Sequence, residues 1–135
     1  MPTDPSRFVA RFARILAHQD FVVLVADDAG ELFGYALVQD FGPGLRRDFS
    51  VGRMHDLYVE PVHRRRGIGR LIMAAVEAWC RDRPAPMILD WQARLEAVPF
   101  YEAIGFQADY LGDTAEFPHF CLDFRPVDLR RAPST

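Results

Sequence analysis

The chain contains no lysine and no asparagine, and each absence closes off some chemistry. Without lysine there is no Schiff-base nucleophile, no Walker-type phosphate lysine and no lysine general base. Without asparagine there is no N-glycosylation acceptor. Cysteine is scarce: Cys80 and Cys121 lie far apart, match no metal spacing, and read as reduced core residues of an intracellular protein. No apolar run approaches the roughly 20 residues that span a membrane. The start, Met1-Pro2-Thr3-Asp4, lacks the basic head and apolar core of a signal peptide. The expectation is a soluble, cytoplasmic protein with no membrane partner.

What is present is an ordinary globular composition. The 135 residues are half hydrophobic and 26% charged, enough for one domain. Such a domain buries roughly two thirds of its unfolded surface without disulfides or structural metal. All 16 basic residues are arginine, and the net charge of −3 argues against general nucleic-acid binding, which draws its affinity from a basic excess. No repeat or internal linker interrupts the chain. A single domain over 1–125 and a flexible tail over 126–135, with Pro126 and Pro133, are expected.

Thr3 or Asp4 before Pro5 starts a helix, and Phe8, Phe12, Ile15 and Leu16 carry it at helical spacing to about His18. Phe21 to Ala26 is a β-branched run, turned back by Asp27-Asp28-Ala29-Gly30 into a second strand, Leu32 to Gln39. A third strand runs from about Val51 to Val59. The longest helix then places Ile68, Leu71, Ile72, Ala75, Val76 and Trp79 on one face and ends before Pro84 and Pro86. Met87 to Trp91 is a short strand. A helix from about Leu95 to Ile104 admits Pro99 in its first turn and Gly105 at its end. Phe106 to Leu111 and His119 to Phe124 close as an antiparallel pair. The order predicts an α+β fold with a mixed, mostly antiparallel central sheet flanked by helices.

Chemistry concentrates in Asp56-Leu57-Tyr58-Val59-Glu60-Pro61-Val62-His63-Arg64-Arg65-Arg66-Gly67-Ile68-Gly69-Arg70. A strand ends, a loop follows, and two glycines sit where the long helix begins. Glycine admits close approach of a ligand to the backbone. The first amides of a helix lack internal partners and lie at the positive end of its dipole. Arg64, Arg65, Arg66 and Arg70 add forked, charge-assisted donors. The ligand such a segment suits is a diphosphate. It is not a Walker loop, lacking the lysine and the glycine spacing, and Gly67-Ile68-Gly69 lacks the third glycine of a dinucleotide fingerprint.

Arg-x-x-Gly-x-Gly after a strand ending Leu-x-Val-x-Pro resembles the acetyl-CoA loop of the GNAT N-acetyltransferase superfamily. Ala97-Val98-Pro99-Phe100-Tyr101-Glu102-Ala103-Ile104-Gly105-Phe106 is similar to that family's second signature, Ala-x-x-Phe-Tyr-x-x-x-Gly-Phe. Both blocks stand in the family's order and separation, and the resemblance spans about Phe21 to Phe124. It implies a GNAT-like sheet whose strand before the loop splays from its neighbour, with Leu57, Tyr58 and Val59 pairing with pantetheine. It implies that the amides from Arg65 through Arg66, Gly67, Ile68 and Gly69 to Arg70 hold the pyrophosphate, with Arg64 at the family's Arg/Gln position. Tyr101 then stands near the thioester sulfur as a general acid.

Two departures stand out. Arg94 occupies the position where the family often has asparagine, and too few residues precede Phe21 for the family's first strand and helices. The shortened N-terminus leaves a sheet edge or an acceptor wall incomplete, to be covered by a second subunit. For the base, His55 is two residues before Leu57, and strand alternation gives it a face shared with Arg53 and Leu57. Its imidazole is either the base, with a suitable intrinsic pKa, or an ordinary strand residue. His119, Trp91 and Phe41 either line an acceptor cleft or pack, His63 is a solvent-facing loop residue, and Asp56 is a hydrogen-bond partner and not the base. The expected activity is acetyl transfer from acetyl-CoA to a primary amine, on a small molecule or a protein, without a metal. The alternative is a catalytically silent acyl-CoA-binding regulatory module.

Overall fold

The computed structural model describes residues 17–109 and 116–127. Five strands form one sheet in chain order: β1 (Phe21–Asp28), β2 (Glu31–Pro43), β3 (Ser50–Val59), β4 (Met87–Gln92) and β5 (His119–Asp123). All neighbours are antiparallel except β3 and β4, which run parallel. Parallel neighbours need a long crossover, here supplied by helix α1 (Ile68–Arg81). A 3₁₀ turn (Leu95–Ala97) and the short helix α2 (Val98–Ala103) join β4 to the last segment. The expected α+β architecture is what forms.

Local chemistry explains the joints. Ala29 and Gly30 both have positive φ, 50° and 87°, the two-residue primed turn that matches strand twist in a hairpin. Gly105, at φ 99°, ends α2 as expected. The core lies on one face of the sheet. Ala36, Val38, Met54, Leu89, Trp91 and Phe120 are buried there against Ile72, Met73, Val76 and Cys80 of α1 and against Val98 and Tyr101 of α2. On the α1 side of β2, Asp40 is buried and paired with Arg83 at 2.9 Å, and that guanidinium also lies 4.6 Å over the Trp79 ring.

Several expectations need correction. The α1 face that packs is Ile68, Gly69, Ile72, Met73, Val76 and Cys80; Ala75 is exposed and Leu71 is 68% exposed. At 100° per residue the buried residues occupy one arc running from Ile68 and Ile72 round to Met73 and Cys80. Leu71 and Ala75 fall outside it on the Ile68 side, whatever their type. Phe106 to Leu111 does not pair as a strand within the described residues: only Asp109 bridges His119. Cys80 is buried as expected, but Cys121 is exposed on β5. The helix expected before His18, and the tail from residue 128 on, lie outside the described residues.

Gly34 lets β2 and β3 approach beneath α1. A Cβ there would collide with the Tyr58 carbonyl oxygen and come within 3.0 Å of Ile72 Cδ1. Gly34→Ala should therefore destabilise the fold by about 1–3 kcal/mol, the range for overpacked sites. The check is a lowered urea midpoint with an unchanged m-value.

Candidate functional site

The site begins where β3 leaves β4. Their pairing covers only Ser50–Met87 to Arg53–Asp90, while β3 continues beside β2 to Val59. The β2–β3 register slips by one between Leu37–Asp56 and Val38–Met54, which leaves His55 as the extra residue of a bulge. Glu60 N donates to Phe33 O at 2.8 Å, and an antiparallel ladder alternates bonded and unbonded pairs. Tyr58 therefore spends its amide and carbonyl on Tyr35. Leu57 turns both of its groups, and Val59 its amide, toward the gap that β4 has left; the Val59 carbonyl accepts from Arg64 Nε. Of the three residues expected to meet pantetheine, the ladder leaves two with main chain to offer, and Tyr58 contributes a half-exposed ring against Tyr35.

The loop continues the same edge. His63 N and Arg64 N close a 3₁₀ turn on Glu60 O and Pro61 O, and the next backbone donor is Leu71 N, to Gly67 O at 3.1 Å. Among the described residues, no amide from Arg65 to Arg70 donates to a backbone carbonyl. Arg65 and Gly67 have positive φ, 66° and 79°, which turns successive amides inward as in an anion-binding nest at a helix start. Arg65, Arg66 and Arg70 are exposed. Arg64 behaves differently, because its Nε donates to Val59 O at 2.9 Å and ties the loop to the strand end.

Gly69 is present for a reason the sequence did not reveal. A Cβ on it would lie 2.8 Å from the Phe100 ring, so its bareness serves the contact between α1 and α2. His63 is corrected as well. Its side chain is only 13% exposed, packed 4.0 Å from the Phe33 ring, with Nε2 3.3 Å from Glu31 Oε1 and, among the described residues, Nδ1 buried without a partner.

Tyr101 is 6% exposed, among Trp91, Phe100 and Phe120 with centroids 5.4, 5.0 and 4.9 Å away. Burial pushes its phenol up to about 12. Trp91, weighed as a pocket wall, is fully in the core, and its Nε1 has no partner among the described residues. Phe41 is exposed.

His55 lies on the opposite face. Its Nε2 sits 2.8 Å from Gln39 Oε1 and its ring stacks on Phe21. Bonding to a carbonyl oxygen puts the proton on Nε2 and leaves Nδ1 a lone pair. Burial, then the Arg53 charge, holds its pKa below the ordinary 6.5. It shares this face with Arg53, but the bulge turns Leu57 to the core side, where it packs on the buried cluster, so the expected grouping with Leu57 does not form. Gln39 and Phe21 carry no local signal as partners, because only the register brings them to His55. Beside them Arg53 Nε donates to Asp90 Oδ1 at 3.0 Å, and His119 Nε2 is 3.6 Å from Asp90 Oδ2. Asp56 is exposed, its carboxyl raised by partial burial. Arg94 lines an open groove of about 390 Å³ with Leu95, Glu96, Glu116 and Phe117. Among the described residues, no group of three or more His, Cys, Asp or Glu is placed to hold a metal.

The inner edge of β3 thus runs, unpaired by β4, into a helix start whose amides are unbonded and whose flanks carry exposed arginines. The model of the acetyltransferase (GNAT) family matches residues 2–106, and the chain belongs to that family. Its fold is similar to the PaiA N-acetyltransferase of Thermoplasma acidophilum in complex with coenzyme A (13% identity, 88% of this chain and 70% of that one, TM-score 0.68). It is also similar to glucosamine-6-phosphate N-acetyltransferase from Arabidopsis thaliana (19% identity, 82% and 77%, TM-score 0.68). A transcriptional regulator from Bacillus halodurans C-125 is equally similar (22% identity, 80% and 73%, TM-score 0.68). No curated protein sequence matches the chain.

Gly67 has nothing within 4 Å of an added Cβ, but its φ is +79°. Gly67→Ala should cost only the left-handed backbone, about 1 kcal/mol of stability. Gly67→Asp should also abolish coenzyme A binding, because it sets a carboxylate before the cradle. Calorimetry compares the two; undiminished affinity in the aspartate variant would remove the anion site from this loop.

Proposed function

We propose that the chain is an N-acetyltransferase that moves acetyl from acetyl-CoA to a primary amine by direct attack in a ternary complex. One observation carries this reading: the unbonded amides of Arg65–Arg70 adjoin the free inner edge of β3. The pyrophosphate would lie on those amides, with Arg65, Arg66 and Arg70 as flanking charge. The pantetheine amides would pair with Leu57 and Val59, orienting the thioester by binding energy gathered far from it. The thioester supplies an activated acyl group. A backbone donor near Val59 would stabilise the carbonyl oxygen as charge develops.

His55 takes the amine proton on Nδ1, held in that tautomer by Gln39. Tyr101 gives its proton to the departing thiolate. The amine class follows the family and the similar fold of the glucosamine-6-phosphate enzyme. Release of free thiol with a panel of amines tests the activity.

A second reading, an acyl-CoA-binding regulatory module, is favoured by the depth of Tyr101 among aromatic rings. In that setting the ring packs and donates to nothing. Tyr101→Phe separates the two. As an acid, Tyr101 contributes about 10²–10⁴-fold, so turnover should fall that far while coenzyme A affinity holds. Full turnover makes it a packing residue, and tight coenzyme A binding by a wild type that acetylates no amine favours the module.

The pH dependence has a definite sign. A base with its pKa below 6.5 is already neutral at pH 7 and loses activity only as pH falls through that lowered value. The acidic limb of kcat/KM should thus have its midpoint below 6.5, and His55→Ala should abolish the limb and leave coenzyme A affinity intact. A limb unchanged in the variant assigns the base elsewhere.

A further inference from the structure

Among the described residues the first edge of the sheet is open, and its chemistry is independent of acyl transfer. β1 pairs with β2 on one side only. Asp40 N donates to Asp20 O at 2.7 Å, and the register runs unbroken from Phe21–Gln39 to Ala26–Gly34. Alternation therefore commits Val22, Leu24 and Ala26 to β2. The amides and carbonyls of Phe21, Val23 and Val25 point outward, and beyond the turn bond from Phe21 N to His18 O they meet no other described residue. Natural sheets guard such an edge with lysine, proline, an inward charge or a central bulge. Phe21 to Ala26 has no proline and no charge, its irregularity comes only after Ala26, and Val25 is 56% exposed.

We propose that this edge is completed by β1 of a second copy of the chain, antiparallel about a two-fold axis at Val23. In that register Val23 faces Val23 and Phe21 faces Val25, so the outward groups of those three residues find partners across the axis. The apolar side chains meet on one face as cross-strand neighbours. Charge selects this register over the slip toward the turn. Here Asp28 falls opposite His18, and Asp20 opposite Ala26. A shift that sets Val23 against Val25 would bring Asp20 opposite Asp28, and like charges directly opposed destabilise a ladder. The symmetry is closed, so the assembly stops at two copies.

Light scattering and sedimentation over a concentration series test the proposal. The wild type should show the mass of a dimer. Val23→Pro removes an amide that β2 does not use. It should raise the dimer dissociation constant at least about tenfold, since two symmetric hydrogen bonds are lost. Val25→Lys should weaken the dimer through edge charge if the proline variant fails to fold. In a Cys121→Ser background, Val23→Cys should cross-link to a covalent dimer on mild oxidation, because bonded antiparallel partners stand about 5.5 Å apart at Cα. A monomer mass for the wild type at every concentration overturns the proposal. So does a dimer that survives both folded edge variants.

Discussion

Four residue pairs hold β3 to β4, and the site depends on where that pairing ends, at Arg53 and Asp90. One additional residue, His55, bulges β3 just beyond that point. A bulge bends and twists its strand, and the two parallel neighbours part. Leu57 and Val59 keep the core side but face an open slot with their main chain. Unpaired backbone groups are costly when buried and harmless when wet. Here they lie beyond the end of the β3–β4 pairing, where the proposed pantetheine would meet them. Beside it, the missing side chain of Gly69 lets α1 pack against Phe100 of α2. The wedge is a property of one irregular residue and one missing side chain.

The electrostatics follow from the same segment. A chain with a net charge of −3 concentrates arginine at one helix start and leaves the amides there unbonded, the arrangement the proposed anion site uses. Arg64 is spent on the carbonyl of Val59, so it organises the turn, while Arg65, Arg66 and Arg70 face solvent. Guanidinium keeps its charge throughout the accessible pH range. His63 and Phe33 brace the turn from behind, a support built from contacts and invisible in spacing.

Much of this was legible in the sequence, and the failures share a cause. Strands β1 to β4, the α1 span and the loop carry local signals: β-branched runs, helical periodicity, glycine and proline at the joints. The bulge carries none. Met54-His55-Asp56 reads as ordinary strand, and only the pairing with β2 reveals the slip that turns Leu57 away from His55's face. Leu71 fits an apolar helical stripe by type, but the stripe that packs is set by where the sheet lies. Gly69 reads as a ligand contact until Phe100 is seen beside it. His63 looks exposed until β2 arrives beneath it. Each error is a tertiary contact that no window of local sequence contains.

Tyr101 and His55 stand on two faces of the sheet, the first buried among aromatic rings and the second beside Gln39 and Phe21. The roles proposed for them require a group lying where β3 has left β4 to reach both. Loss of water acts on the two residues in opposite directions. It lowers the histidine, whose charged form is a cation, and raises the tyrosine to about 12, whose charged form is an anion. Burial, joined at the histidine by the Arg53 charge, favours the neutral form of each. For the imidazole that is the form that accepts a proton. For the phenol the same burial makes a weaker acid, which counts against the acid role and for packing.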